Sequence, residues 1–258
     1  MGRTKAALEW HGSTLLRRAV GLVRRSVDGP VVVVRAADQT LPVLPDWVEI
    51  TEDALPGRGP LEGLAAGLTA IGDRAATAFA ISTDMPLMQP AFVRRVLDAM
   101  TDEIDLVLPE ALGFSQPLAA AYSLRLLPVI EQLLAAEKLR PTDLFECCEV
   151  LRLDAAALLA DPALAAADPQ LESLINLNKP EEYQAAQAQP QPTIAVVLTT
   201  GHGADRQLTI RAATLGEALA QIGQTTDRAC SITLNGVAVA FESELPLVPN
   251  DRLVLTAQ

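Results

Sequence analysis

The sequence predicts an α/β fold with a mostly parallel sheet, followed by a smaller α+β unit. Three observations lead there. Val31-Val32-Val33-Val34 is an unbroken β-branched run bounded by Gly29-Pro30, the pattern of a strand covered on both faces. Around it, apolar strand-length runs alternate with stretches of helical periodicity, which places helices on both sides of a sheet. That alternation stops at a Gln/Ala/Pro segment beginning at Ala185, and strand-rich sequence follows it.

Taken in order, Leu15, Leu16, Ala19, Val20 and Val23 recur at helical spacing between Ser13 and Arg25, behind hydroxyl residues able to cap a first turn. After the valine run come a strand at Val48–Ile50, a helix at Leu61–Ile71, a strand at Thr77–Ser82, a helix at Ala91–Met100 and a strand at Asp105–Leu108. Beyond Pro109 the pattern loosens. Leu118–Tyr122 is a candidate strand, Leu126–Ala136 a helix, and Val150–Leu153 a short strand before an alanine-rich helical stretch.

Residues 1–185 are therefore expected to form one domain and 186–192 a linker with nothing to bury. Residues 193–258 then read as strands at Ile194–Thr199 and Gln207–Arg211 around a turn at Gly201-His202-Gly203. A helix at Thr214–Ile222 follows, then strands at Ser231–Leu234, Val237–Phe241 and Leu253–Thr256, with a turn at Asn235-Gly236. Thr214 and Glu217 are spaced as a capping box. Hairpin strands, one helix and further strands fit a β-grasp fold.

Charge narrows the partners. The chain of 258 residues carries 32 acidic against 20 basic side chains, a net −12 that repels nucleic-acid backbones and anionic membrane surfaces. No apolar stretch approaches the ~20 residues a membrane span needs, and no apolar signal core follows Met1, so a cytoplasmic location is expected. Three cysteines, with Cys147 and Cys148 adjacent, cannot build a disulfide framework and are expected as reduced, buried thiols. His11 and His202 stand apart with no partner at metal-ligand spacing. Any metal should then be a hard ion held by carboxylates and phosphates.

In an open α/β sheet, ligands sit beyond the carboxyl ends of the strands, so polar residues just after apolar runs are the candidates. Lys5 is one of only three lysines against seventeen arginines; a solvated terminal cation is the competing account. Asp53 precedes the segment Gly57-Arg58-Gly59-Pro60-Leu61-Glu62-Gly63, where glycines allow close backbone approach and Pro60 starts a helix whose N-terminus favours anions. A purely structural turn fits that segment as well. Asp84 directly follows the Thr77–Ser82 strand and is placed to hold Mg²⁺ against nucleotide phosphates, with an N-cap as the alternative. Asn176 and Asn178 share a face if extended, so Asn178 either completes a ligand shell or caps the helix after Pro180.

The order of these motifs resembles the molybdenum cofactor guanylyltransferases over residues 1 to 185. It runs Met1-Gly2-x-x-Lys5, Asp53-Ala54-x(4)-Gly59-Pro60-Leu61-x-Gly63-Leu64, Thr83-Asp84-Met85-Pro86, Gln116-Pro117-Leu118-x(3)-Tyr122 and Asn176-x-Asn178-x-Pro180. The resemblance implies a Rossmann-like nucleotidyltransferase joining GMP from GTP to molybdopterin with Mg²⁺ present and pyrophosphate released. Proteins that mature molybdenum enzymes would be its further partners. It implies Lys5 as the phosphate-binding and catalytic lysine, Asp53, Gly59 and Pro60 beside the nucleotide, Asp84 as catalytic metal aspartate, and Asn178 as a second metal ligand. A CTP-using relative, or a degenerate domain that binds cofactor or partner without catalysis, is the alternative. Two departures stand out: Gln116 replaces the family's histidine, and the family's glycine-rich loop precedes the motif at which this sequence starts. An upstream strand and loop are accordingly expected.

Residues 193–258 resemble the small subunit of molybdopterin synthase and related sulfur carriers, with Leu234-Asn235-Gly236 and Pro249-Asn250-Asp251 in the matching places. Those carriers end in Gly-Gly, whereas this sequence ends Thr256-Ala257-Gln258. A docking or regulatory role is expected in place of sulfur transfer. Incubated with a cognate activating enzyme and ATP, the protein should keep its intact mass; an adenylate or thiocarboxylate adduct in the mass spectrum would contradict this.

Overall fold

The computed structural model describes residues 5–53, 55, 57–199, 205–224 and 230–257. A short 3-10 turn at Lys5–Ala7 leads into a tight hairpin of β1 (Glu9–Trp10) and β2 (Ser13–Thr14), turned by His11 and Gly12 at φ values of 45° and 80°. Two-residue strands show no period-two alternation, so this hairpin has no sequence signature. It delivers Thr14 as the cap of α1 (Leu15–Arg24), its hydroxyl accepting from the Arg17 N–H at 3.2 Å.

The chain continues through β3 (Val31–Arg35), β4 (Val48–Glu52), α2 (Pro60–Ile71), β5 (Thr77–Ile81), α3 (Pro90–Asp98) and β6 (Leu106–Ala111). Next come β7 (Phe114–Ser115), β8 (Ala119–Ser123), α4 (Leu127–Ala135), β9 (Val150–Asp154), α5 (Ala155–Leu159), α6 (Pro162–Ala167) and α7 (Pro180–Gln187). The α/β alternation is as expected, but the sheet is mixed, not mostly parallel. β3 and β4 pair in parallel as one small sheet; in the other, β8 runs antiparallel to both β5 and β6, and only β9 is parallel to β6. The cause is the turn at Leu112-Gly113, with φ of 56° and 83°, which sends the chain straight back after β6. So short a return permits only antiparallel pairing.

Among the described residues the two sheets do not join. β3 and β5 each keep one edge with no strand partner among the described residues. Both border a cavity of about 710 Å³ walled by Leu16, Ala19, Val20 and Val23 of α1 and by Gly63, Leu64, Gly67 and Leu68 of α2. The valine run is consequently not covered on both faces throughout: Val31 and Val33 are buried, Val32 and Val34 only half so. The main core lies on the other side of β5, β8 and β6, where Phe92 of α3 is fully buried and meets the Phe79 ring edge-on at 6.5 Å.

The Gln/Ala/Pro segment is not a bare linker from its start. α7 runs to Gln187, and Ala186, only 6% exposed, packs with Trp10, Leu15 and Leu177. Alanine's helix propensity and this apolar seat prolong the helix past the point where composition changes. The thiols also depart from expectation: Cys147 is exposed and Cys148 half-buried. Burial first, then Asp105, pushes the Cys148 thiol up to about 11, so it stays protonated near neutrality.

The C-terminal unit holds β10 (Thr193–Thr199), β11 (Arg206–Arg211), α8 (Leu215–Gln221), β12 (Cys230–Leu234), β13 (Val237–Ala238) and β14 (Arg252–Ala257). Strand order is β11-β10-β14-β12-β13, with β10 and β14 parallel at the centre and every other pair antiparallel. α8 closes a core of its own with Ile194, Val196, Leu253 and Leu255. Thr214 caps α8 through the Glu217 N–H, while the Glu217 carboxylate reaches the Ala213 N–H, one residue earlier than a capping box requires. The strand expected over Val237–Phe241 ends at Ala238, because the chain then leaves the sheet edge and places Glu242 and Glu244 against Arg17 and Ser13 of the first unit. The expected turn at Gly201-His202-Gly203 lies outside the described residues. No helix among the described residues is long and apolar enough to cross a membrane.

Phe92→Ala empties a fully buried site beside α3 and β5 and should cost about 3–5 kcal/mol in urea unfolding. A loss under about 1 kcal/mol would mean that the site collapses or is less tightly packed than described.

Candidate active site

Three of the expected site residues meet at one point. The Lys5 ammonium donates to Asp84 Oδ2 at 3.0 Å and to Asn178 Oδ1 at 3.1 Å, joining stretches 79 and 173 residues away in sequence. The Lys5 side chain is 43% exposed and that of Asp84 only 12%, so the cluster has one wet side and one walled side.

Asp84 stands just beyond the carboxyl end of β5, anchored below by fully buried Met85 and Met88. The Ser82 hydroxyl donates to Asp84 Oδ1 at 2.5 Å, and the Asp84 carbonyl accepts from the Leu177 N–H at 2.8 Å. Asp84 caps no helix: α3 starts at Pro90 behind Gln89. The stretch before Asn178 is pinned along the same loop. Asp168 takes the N–H groups of Glu172 and Ser173, and the Ser173 hydroxyl accepts from the Gln89 N–H at 2.9 Å.

Asn178 does not cap α7 either. Glu182 performs that task, its Oε2 accepting from the N–H groups of Asn178 and Lys179 at 3.0 and 3.1 Å, and these bonds, that from Lys179 foremost, hold its carboxyl below the ordinary range. The carboxamide of Asn178 is thereby left for Lys5. Asn176 turns instead toward the Leu174 carbonyl.

Asp53, Gly59 and Pro60 lie apart from this cluster. Asp53 follows β4 with its N–H on the Arg35 carbonyl at 2.9 Å, and its Oδ1 is buried without a hydrogen-bond partner among the described residues. Burial, then the neighbouring Glu62, raises its carboxyl above the ordinary value. Gly59 takes φ 85°, open to glycine at little cost, and Pro60 starts α2 with no side-chain cap on its first turn. Gly63 lets α2 approach closely: a Cβ there would sit 3.4 Å from Asp53 Oδ1. Asp53, Gly57, Gly59, Pro60 and Thr83 all border the 710 Å³ cavity, so the cavity runs from Asp53 to the residue preceding Asp84.

Gln116 is buried at the turn into β8, its N–H on the Pro109 carbonyl at 2.9 Å. Ser82 is the contributor that motif reasoning missed; its place two residues before Asp84, on the same side of an extended chain, was the available signal.

Among the described residues no group of three or more His, Cys, Asp or Glu could hold a metal ion. The donors present are nonetheless hard: one carboxylate and one carboxamide oxygen aimed at a single cation, here the Lys5 ammonium. That set suits a divalent ion whose remaining ligands are phosphate and water oxygens.

An α/β domain that gathers ammonium, carboxylate and carboxamide beyond the end of a strand, with an uncapped helix start across a shared cavity, has the make-up of a phosphate-handling domain of the nucleotide-binding class. Residues 1–146 match the MobA-like NTP transferase domain, and the chain belongs to that family. It is 30% identical over 187 residues to a molybdenum cofactor guanylyltransferase of Desulfosudis oleivorans, covering 72% of this chain and 87% of that one. It is 33% identical over 160 residues to a probable molybdenum cofactor guanylyltransferase of Methanothermobacter thermautotrophicus, covering 60% and 76%. In fold it is similar to molybdopterin-guanine dinucleotide biosynthesis protein A of Archaeoglobus fulgidus, with a TM-score of 0.56 and 18% identity over 72% of this chain and 90% of that one.

The raised carboxyl of Asp53 makes a stability prediction. The folded chain holds that proton more tightly than the unfolded chain, so stability is lost as pH rises from the ordinary value of 3.8 through the raised one. Asp53→Asn should flatten the fall in melting temperature as pH rises above the ordinary carboxyl value of 3.8 and leave the neutral-pH protein at least as stable. An unchanged pH profile would show that the carboxyl is not strained in the fold.

Proposed function

We propose that the protein is a molybdenum cofactor guanylyltransferase. The terminal phosphate oxygen of molybdopterin attacks the α-phosphorus of GTP; the bond from that phosphorus to the bridging β-phosphate oxygen breaks, and pyrophosphate leaves. The observation that carries this is the meeting of Lys5, Asp84 and Asn178 beyond β5, in a member of a family whose relatives carry that name.

Lys5 supplies positive charge to the triphosphate and to the pyrophosphate that departs. In the closed ion pair its charge is spent on Asp84, so binding phosphate transfers the ammonium from carboxylate to substrate. Asp84 and Asn178 would hold Mg²⁺, which when bound neutralises phosphate charge and orients the triphosphate. Ser82 fixes the rotamer of Asp84 through the bond to Oδ1. Asp53, Gly59 and Pro60 flank the nucleoside part, with the bare first turn of α2 offering N–H groups to anionic oxygen. No covalent intermediate is needed; charge stabilisation and in-line placement provide the rate.

We assign residues 193–258 to a β-grasp domain, supported by a central parallel pair β10–β14, flanking antiparallel strands and one helix packed on the sheet.

Asp84→Asn keeps the shape of the side chain and removes its charge. It should lower Mg²⁺-dependent GTP consumption by on the order of 10²-fold or more while moving the melting temperature little. Turnover equal to that of the unaltered protein would remove Asp84 from the site.

A further inference from the structure

The segment of the C-terminal unit between β13 and β14 is not merely seated on the first unit; it enters the packing beneath the Asp84 loop. Val248 is 5% exposed and belongs to the same buried cluster as Leu22, Met85 and Met88. Arg18, on α1 and only 4% exposed, spans the two units. Its Nε donates to the Pro86 carbonyl at 2.6 Å, and its Nη2 lies 3.4 Å from the Leu247 carbonyl. One guanidinium thus ties the backbone two residues after Asp84 to the backbone of the second unit.

The seat is built for close contact. Arg25 bonds Asp251 at 2.6 Å, with the two side chains 9% and 2% exposed, and its other nitrogen donates to the Pro246 carbonyl at 2.8 Å. Trp47 and Ser13 donate to Glu242 and Glu244. Gly21 faces the Pro246 ring so tightly that a Cβ would fall 2.5 Å from Cδ. A fully buried arginine is an expensive way to join two backbones; burial, then Arg25, pulls Arg18 down to about 10 while Asp251 pulls it up, and it stays charged at neutral pH. Its planar fork reaches the two carbonyls through separate nitrogens held in a fixed geometry, which a lysine's single nitrogen on a flexible stem does not reproduce.

We propose that the Pro246–Val248 segment is an internal brace that sets the position of the Asp84 loop, acting through Arg18 as a positioning residue. The second unit then governs the first as a permanently attached partner whose undocking loosens the metal-binding carboxylate. This rests on the reading of Asp84 as a metal ligand, and the two are tested separately.

The full chain is compared with Gly21→Ala, which drives a methyl into Pro246 without touching Arg18 or the loop, and with Arg18→Lys. Alanine is the better helix former, so α1 itself should not suffer. Backbone hydrogen exchange without metal reads the brace: residues 82–88 should exchange about tenfold faster in both variants. Mn²⁺ binding by calorimetry reads the site, with affinity falling about tenfold, as for other residues that orient a ligand. Adding Pro246→Ala to Gly21→Ala removes the clash and should restore both readouts. Faster exchange confined to residues 244–250, with residues 82–88 and Mn²⁺ affinity unchanged, would overturn the proposal, as would failure of the double variant to recover. If the unaltered chain binds no Mn²⁺ while residues 82–88 still respond, the brace stands and the metal assignment falls.

Discussion

One ammonium group organises the site. Lys5 comes from the start of the chain, Asp84 from the end of β5 and Asn178 from the approach to α7, and without a positive charge between them two oxygens would face each other with no donor. Every local feature nearby serves that meeting. Ser82 orients Asp84, Glu182 releases Asn178 from capping, and the bond from Leu177 to the Asp84 carbonyl lays the late stretch beside the early loop. The Lys5 end of this pair stands open to water, which limits what the pair adds to stability. Its value lies in exchange: an incoming phosphate can take over the ammonium as a cation takes over the oxygens.

Much of this was legible in the sequence because the signals are local. The valine run, the helical spacing from Leu15 to Val23, and the polar residues directly after Ile81 all lie within a few residues of the features they announce. Lys5, Asp84 and Asn178 could be named individually from chain position and residue type. Asp53, Gly59 and Pro60 could be named too, yet their distance from the cluster across the cavity is a matter of tertiary packing that spacing does not encode.

The rest depended on contacts between distant residues. The direction of β8 follows from a turn at Leu112, a residue with no turn propensity that adopts positive φ before Gly113. The helix through Ala186 exists because Trp10 and Leu177 cover it, which composition alone obscures. Arg18 sits in an amphipathic helix beside Arg17, and nothing in the sequence separates the fully buried arginine from its partly buried neighbour. Where a charge is spent on joining two backbones, only the folded structure shows its purpose.

The gap between β3 and β5 has a further consequence, for how the molecule behaves among its copies. A strand edge without a partner is a template for pairing with another chain. Here both edges border the space lined by Leu16, Ala19, Val20 and Val23 of α1 and by Leu64 and Leu68 of α2. An extended segment that pairs with either edge therefore also meets an apolar helix face. The two helices thus stand as neighbours of these edges where a further strand would otherwise lie, and casual contact between copies of the molecule meets helix before it meets strand.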